Sequence, residues 1–249
     1  MEPPRFPLSR PRLRYVRDSM VQVPTHVDDI GWARLAERLC YLFPPVVGVG
    51  AVGVLEDLDL GVPGLSWGLF LVGTAGYTLL TLGMSLALFF DADRIRRQPR
   101  ASGNWRPRPW LNAAFALLWA PAAGVVYLAR RHRRFGTPPG WSGWWVVVAL
   151  SLATTLFGLV AAGVSILLSI PGLLATGAGL AGAVAFGAFP VAIHRDAAYV
   201  CTESDSWRPN PGVYLALAFL SLSVPPVQPA LAAYYLYHRR EAIGVPALE

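Results

Sequence analysis

Residues 65–90 have the sequence LSWGLFLVGTAGYTLLTLGMSLALFF, without a single Asp, Glu, Lys, Arg or His. A helix of this length rises about 39 Å, which exceeds the roughly 30 Å hydrocarbon core of a bilayer. Further uncharged blocks occupy residues 39–55, 110–129, 144–170, 173–193 and 212–237. With 54% hydrophobic and 14% charged residues, the 249-residue chain is too apolar for a soluble protein. The sequence therefore predicts an all-α integral membrane protein with six hydrophobic segments.

The second half of the chain repeats landmarks of the first half in the same order. These are a Pro-Gly pair, an Asp after a hydrophobic block, a Trp-Arg-Pro motif, a Tyr-Leu pair before an Arg/His cluster, and a Gly-x-Pro motif. They occupy 63–64, Asp91, 105–107, 127–128 and 136–138 in the first copy, and 171–172, Asp196, 207–209, 235–236 and 244–246 in the second. This order predicts two tandem three-segment repeats, at residues 30–140 and 141–249, after a disordered basic tail at residues 1–29.

Prolines interrupt the third hydrophobic segment of each copy. They are Pro121 in the first copy, and Pro225, Pro226 and Pro229 in the second. Each proline removes a helix hydrogen bond at a cost of about 3 kcal/mol or more. The third segment is then either a kinked span or a re-entrant hairpin whose two ends lie on one side of the membrane. Kinked spans make the two repeats inverted, as in many transporters, whereas re-entrant hairpins make them parallel.

The arginines orient the chain in the membrane. All 21 basic residues are arginines, and they flank the hydrophobic blocks, as the positive-inside rule requires. The sequence thus predicts a multi-pass protein of the cell membrane with a cytoplasmic N-terminus. Re-entrant hairpins place every arginine in the cytoplasm, whereas six spans place the cluster at residues 130–134 outside. Nucleic-acid binding is not predicted, because a basic patch needs a folded soluble face to carry it.

The repeated motif also carries a resemblance to a protein group. It stands at Asp196, 207–211 (Trp-Arg-Pro-Asn-Pro), Pro229, 235–236 and 244–246, and again in the first copy. In this pattern the chain resembles polytopic membrane proteins of halophilic archaea for which no activity is known. The resemblance covers most of both repeats, and it implies a membrane location and no particular chemistry.

Two Trp-Arg pairs are the candidate functional residues. Trp105 and Arg106 in the first copy match Trp207 and Arg208 in the second, and each pair precedes a proline. An interfacial Trp beside an Arg can hold an anionic lipid headgroup through guanidinium hydrogen bonds. The alternative is an aromatic anchor that only fixes the depth of the helix.

Other polar residues have more ordinary interpretations. Asn112 and Gln228 are the only amides inside the six blocks, and a hydrogen bond between helices is their expected use, with a polar ligand as the alternative. His132 and His238 are interpreted as equivalent flanking residues, with proton transfer as the alternative. A metal site from Asp91, Asp93, Asp196, Glu203 and Asp205 is a third possibility, against a solvated, charge-balanced loop. Dense glycines at 48–53 and 177–187 predict close helix packing.

These features favour a non-catalytic membrane module without cofactor, metal or catalytic residues. Such a module associates with itself or a partner and binds anionic membrane lipid through its arginine-rich face. The alternative is a small transporter or channel whose path runs between the two repeats. The first hypothesis gains from the lack of charged residues inside the six blocks, because ion-coupled carriers use intramembrane Asp, Glu or His. The second gains from the duplication and the proline breaks.

Overall fold

The computed structural model describes residues 31–54, 64–97, 105–136, 138, 140–224 and 226–244. Within these ranges the regular structure is helical, and no strand occurs. The helices are α1 (Trp32–Val54), α2 (Leu65–Arg97), α3 (Pro109–Phe135), α4 (Trp144–Leu168), α5 (Pro171–Ala183), a π-helical turn (Val184–Ala188), α6 (Phe189–Glu203), α7 (Pro211–Ser223) and α8 (Val227–Ile243). The predictions for the tail at residues 1–29 and for Pro225 lie outside the described residues.

Four of these helices, α1 to α4, are long and apolar enough to cross a membrane by length and composition. Their outer surfaces are apolar as well: Leu118 of α3 is 87% exposed, and Leu167 of α4 is also largely exposed. Large apolar side chains facing outward are expected where lipid, rather than water, surrounds the helices. The prediction of an all-helical protein with apolar helices of spanning length is confirmed.

Glycines bring neighbouring helices into close contact at two crossings. A β-carbon on Gly73 of α2 would lie 2.4 Å from the α-carbon of Gly50 in α1. A β-carbon on Gly158 of α4 would lie 2.8 Å from the carbonyl oxygen of Gly177 in α5. Small residues at such crossings let helix backbones approach without clashes. Gly179, Gly182 and Gly187 face open space instead, so the packing prediction holds for only part of the glycine-rich segment.

Helix α3 consists of two arms, because its backbone leaves the helical conformation at Trp119 (φ −155°, ψ 79°). The break lies two residues before Pro121, which lacks the N–H that would bond to the carbonyl of residue 117. The two arms fold back on each other. The Trp105 ring, just before the first arm, lies 5.6 Å from the Tyr127 ring on the second arm.

Helices α7 and α8 repeat this arrangement near the C-terminus. Val224 between them is extended (φ −135°, ψ 92°), and Pro226 follows at the start of α8. Near the start of α7, the ring of Tyr214 lies 5.0 Å from the ring of Tyr235 in the second half of α8. The beginning of α7 therefore lies beside the end of α8.

The segment from α5 to α6 is continuous but contains a π-helical turn at Val184–Ala188. Pro190 follows directly, in the first turn of α6, and it has no N–H for the carbonyl of Phe186. A wider turn accommodates this missing hydrogen bond without ending the helix.

Buried side chains form two apolar clusters. The first is built mainly from α1, α2 and α3, and includes Phe43, Met84 and Leu128. The second is built from α4, α6, α7 and α8, with Phe189 and Tyr235 among its largest buried side chains.

Candidate functional site

A cavity of about 610 Å³ lies between the two arms of α3. This volume is within the range of about 300–1,000 Å³ that is usual for small-ligand sites. Arginines from both arms line one end of the cavity: Arg106 and Arg108 before the first arm, and Arg130 on the second. Toward the break at Trp119 the lining becomes apolar, with Leu111, Phe115 and Leu118. The cavity is therefore lined by arginines near the ends of the two arms and by exposed apolar side chains toward the break.

The three arginines of this cavity are available to an anion. Within the described part of the chain, no ion pair involves Arg106, Arg108 or Arg130. All three are exposed. Guanidinium groups bind phosphate and carboxylate through paired N–H donors, so three of them around one opening suit a strongly anionic group.

Tyr127 lines the cavity and is held by a buried carboxylate. Its hydroxyl donates a 2.8 Å hydrogen bond to Oδ2 of Asp91, near the end of α2. The guanidinium Nε of Arg131 donates to the same oxygen at 2.9 Å. Asp91 thereby fastens the second arm of α3 to α2. Tyr127 and Arg130 are three residues apart on the second arm, and both line the cavity. The hydrogen bonds to Asp91 therefore also fix the position of this side of the cavity.

The second half of the chain contains the same three residue types in the same geometry. Tyr235 and Arg239 of α8 both donate to Oδ2 of Asp196 in α6, each at 2.7 Å. The Trp207 ring lies 5.5 Å from the Tyr235 ring at 52°, against 5.6 Å and 51° for Trp105 and Tyr127. We call the two sets the Asp91 triad and the Asp196 triad.

The two Trp-Arg pairs differ in charge environment. Arg208 donates to Oδ1 of Asp205 at 3.0 Å and to the carbonyl of Ser204 at 3.3 Å. Arg106 has no such carboxylate among the described residues. The anion-binding prediction is therefore favoured for Trp105 and Arg106, whereas an internal carboxylate already occupies Arg208.

Among the described residues, neither of the two amides inside the hydrophobic blocks forms a hydrogen bond between helices. Asn112 lines the cavity and donates to the carbonyl of Arg108, one helical turn before it, at 2.8 Å. Gln228 is 2% exposed, and neither atom of its amide has a hydrogen-bond partner in the described part of the chain. The hydrogen bond between helices comes instead from Asn210, whose amide donates to the carbonyl of Ala129. Asn210 lies outside the hydrophobic blocks, but its Trp-x-Pro-Asn-Pro context marked it as a landmark.

Two further expectations about polar residues need correction. Asp91 and Asp196 are not part of a solvated loop, since both are buried in helices. His132 and His238 are not equivalent, because His132 is buried beside Glu37, while His238 is partly exposed against the Trp207 ring. The described residues contain no group of three or more His, Cys, Asp or Glu that fits a metal ion.

Residues 64–68, with the sequence GLSWG, match the GxSxG pattern of hydrolases, a match that the sequence interpretation overlooked. That motif works at a sharp strand-to-helix turn, which exposes the serine. Here the segment opens helix α2, and the Ser66 carbonyl packs closely against Gly53 of α1. The surroundings of Ser66 are thus those of a packed helix start.

Comparisons of the chain with protein-family models, with curated proteins and with solved structures find no match. The resemblance to membrane proteins of halophilic archaea therefore stays a prediction.

Proposed function

We propose that this chain is a non-catalytic, multi-pass membrane module that binds an anionic lipid headgroup in the cavity of α3. The observation that carries the proposal is the set of three arginines that line one cavity and have no ion-pair partner among the described residues, Arg106, Arg108 and Arg130. A phosphate-bearing headgroup is the anion that such guanidinium groups recognise at a membrane surface.

The change in lining along the cavity supports a lipid rather than a free anion. The arginines stand at the ends of the two arms, and Leu111, Phe115 and Leu118 follow toward the break. A headgroup at the mouth places an acyl chain against these apolar side chains. A small inorganic anion would make no favourable contact with these apolar side chains.

The proposal includes an arrangement of the chain in the membrane. Two tandem repeats each contribute two full spans and one re-entrant hairpin, with the arginines and the N-terminus on the cytoplasmic side. The contact between Trp105, just before the first arm of α3, and Tyr127, on its second arm, supports this arrangement. So does the length of α7, because its 13 residues rise about 20 Å, less than a bilayer core. Buried carboxylates in the same place beside each hairpin support the repeat.

The energetics predict a measurable preference for anionic lipid. Each arginine near an anionic surface contributes about 1 kcal/mol, so three contribute about 3 kcal/mol, or on the order of a hundredfold in affinity. Trp105 adds an amphipathic ring at the interface beside the headgroup.

Native mass spectrometry of the purified protein with phosphatidylglycerol and phosphatidylcholine tests the proposal. We expect preferential retention of phosphatidylglycerol, and a loss of about tenfold or more in the double variant Arg106→Ala/Arg130→Ala. The matched control is Arg208→Ala, which removes an arginine that already has a carboxylate partner. Equal retention of both lipids, or equal losses in the double variant and the control, would contradict the proposal.

A second candidate function is small-solute or proton-coupled transport along a path between the repeats. The specific observation in its favour is that Glu37, His132 and His194 are buried together where α1, α3 and α6 meet. Buried ionisable residues in membrane proteins commonly serve ion pathways. A flux assay in liposomes separates the two functions, since lipid binding alone moves no solute.

A further inference from the structure

A largely buried group of ionisable side chains, none of which lines the cavity of α3, joins the two halves of the protein. Helix α1 contributes Glu37 and Tyr41, α3 contributes His132, and α6 contributes His194 and Arg195. We call these five residues the junction cluster. Neither of the two triads includes any of them.

One ring nitrogen in the junction cluster has an unused hydrogen-bonding position. The Tyr41 hydroxyl and Nδ1 of His194 form a 2.6 Å hydrogen bond. The other nitrogen, Nε2, has no hydrogen-bond partner in the described part of the chain, although His194 is 0% exposed. An unpaired buried polar group costs about 1–3 kcal/mol. An unpaired nitrogen of this kind lowers the stability of the fold, and such groups are often found where the side chain has a function.

Glu37 lies between two positively charged or protonatable groups without a hydrogen bond to either. Its Oε1 is 3.6 Å from Nε2 of His132, and its Oε2 is 3.7 Å from a terminal nitrogen of Arg195. Both distances exceed the 2.7–3.2 Å of an N–H···O hydrogen bond. A movement of less than 1 Å toward either partner makes a charge-assisted hydrogen bond there.

The charges around the two histidines allow one added proton but disfavour two. The rings of His132 and His194 lie 5.2 Å apart, so two imidazolium charges would repel each other in a dry environment. Glu37, whose carboxylate lies 3.6 Å from His132, favours a proton on the pair, whereas burial, Arg195 and Arg131 oppose it. Further charges on the packed helices are Arg34 and Arg38 on α1, and Arg131 on α3, which Asp91 of α2 neutralises.

We propose that the junction cluster is a binding site for a single proton, taken up by the His132–His194 pair. With the pair neutral, Glu37 serves as the counter-charge of Arg195. When the pair takes a proton from water, Glu37 moves toward His132 and releases Arg195. Because Glu37 belongs to the first half of the chain and Arg195 to the second, proton uptake weakens one contact between the halves. This inference does not depend on lipid binding.

The experiment is a pH titration of histidine ring signals by NMR, with isotope-labelled protein in nanodiscs. The chain has 4 histidines, and substitution of His26 and His238 by Gln leaves only the proposed pair. We expect both rings to follow one common midpoint with a total uptake of one proton. Two independent midpoints, or no titration before the protein unfolds, would overturn the proposal.

Two variants are expected to shift the titration midpoint in opposite directions, which a merely structural role of these residues would not do. Glu37→Gln removes the favourable charge and is expected to lower the midpoint by about one pH unit or more. Arg195→Gln removes the opposing charge and is expected to raise it. Arg208→Gln, an arginine of the same half outside the junction cluster, is the control and should leave the midpoint unchanged. Shifts of equal sign in the first two variants would contradict the proposal, and thermal unfolding of each variant checks that it is folded.

Discussion

Asn210 connects the second half of the chain to the first, because its side-chain amide donates a 2.9 Å hydrogen bond to the carbonyl of Ala129 in α3. The oxygen of the same amide caps α7 by accepting from the N–H groups of Gly212 and Val213. Asn210→Ala loses both interactions, and we expect a destabilisation of about 1–3 kcal/mol in thermal unfolding in detergent. Asn210→Asp keeps the cap and loses only the donor, so its stability should be intermediate. Equal loss in both variants would show that the cap contributes nothing.

Gly212 is expected to tolerate no side chain. A β-carbon there would lie 2.5 Å from the backbone nitrogen and α-carbon of Ala129, and backbone atoms cannot rotate away. We expect Gly212→Ala to lower the unfolding temperature by several degrees, although alanine favours a helix. Gly182→Ala is the matched control, since nothing lies within 4 Å of its β-carbon. A wild-type unfolding temperature for Gly212→Ala would mean that the two halves do not approach as described.

The two triads should differ in their sensitivity to substitution. Asp196 is 0% exposed and its partner Arg239 is also buried, whereas the side chain of Arg131, the partner of Asp91, is 24% exposed. Asp196→Asn leaves a buried arginine without its counter-charge, which costs about 3–5 kcal/mol. We expect a smaller loss for Asp91→Asn, because water can solvate Arg131. Unfolding in detergent measures both.

An exposed ion pair on α2 provides the control for the triads. Asp93 pairs with Arg97, whose side chain is 77% exposed, and such surface pairs contribute about 0–1 kcal/mol. Asp93→Asn should therefore leave the unfolding temperature almost unchanged. The expected order of destabilisation is Asp196→Asn, then Asp91→Asn, then Asp93→Asn, and any other order would contradict the burial argument.

Single cysteines can determine whether α3 crosses the membrane. Re-entrant hairpins place Arg97→Cys and Ser142→Cys on the same side, with Gly172→Cys on the other. Six spans instead place Arg97→Cys and Gly172→Cys together. We expect a membrane-impermeant maleimide to label the first two from the cytoplasmic face of oriented vesicles, and the third from the opposite face.

The labelling needs a background without native thiols. Cys40 is buried, and Cys201 is partly exposed. Burial raises the pKa of the Cys201 thiol, which slows its reaction with maleimide but does not abolish it. Cys40→Ala and Cys201→Ser remove both. Labelling of Arg97→Cys and Ser142→Cys from opposite faces would refute the re-entrant arrangement.

Removal of Asp205 should create a second anion site. Arg208 is held by Asp205 at 3.0 Å, so Asp205→Asn frees an arginine beside Trp207. We expect about a fivefold increase in retained phosphatidylglycerol by native mass spectrometry, equivalent to about 1 kcal/mol. Asp93→Asn, which frees an arginine away from any Trp-Arg pair, should give no increase. Equal gains in both variants would mean that net charge, and not the Trp-Arg pair, determines lipid binding.

The sequence predicted the helices well, because an uncharged apolar run of about 20 residues or more is typical of a membrane-spanning helix. The prolines also predicted the breaks in α3 and between α7 and α8, since a missing N–H has a local effect that needs no knowledge of neighbours. The close helix packing at Gly50 and Gly177 was predicted from the density of small residues, which is also a local property.

Long-range polar partners could not be predicted in this way. Asp91 lies 36 residues from Tyr127, and Asp196 lies 39 residues from Tyr235. The repeat marked these residues as matching landmarks, but composition does not state which helices meet. Glu37 and His194 were missed, and His132 was interpreted as a flanking residue, for a second reason. The hydrophobic blocks were defined by their lack of charge, so ionisable residues just beyond their ends were assigned to the membrane flank.

The π-helical turn at Val184–Ala188 sets the angular phase of α6. One residue corresponds to about 100° of rotation around a helix axis, and a π turn holds about one residue more than an α-helical turn. A regular α-helix with the same number of residues would present His194 and Asp196 rotated together by about 100°, whereas deletion of one residue from the turn would restore a regular helix and leave their angular position unchanged. The junction cluster and the Asp196 triad therefore share one dependence, on the extra width of the helical turn that precedes them.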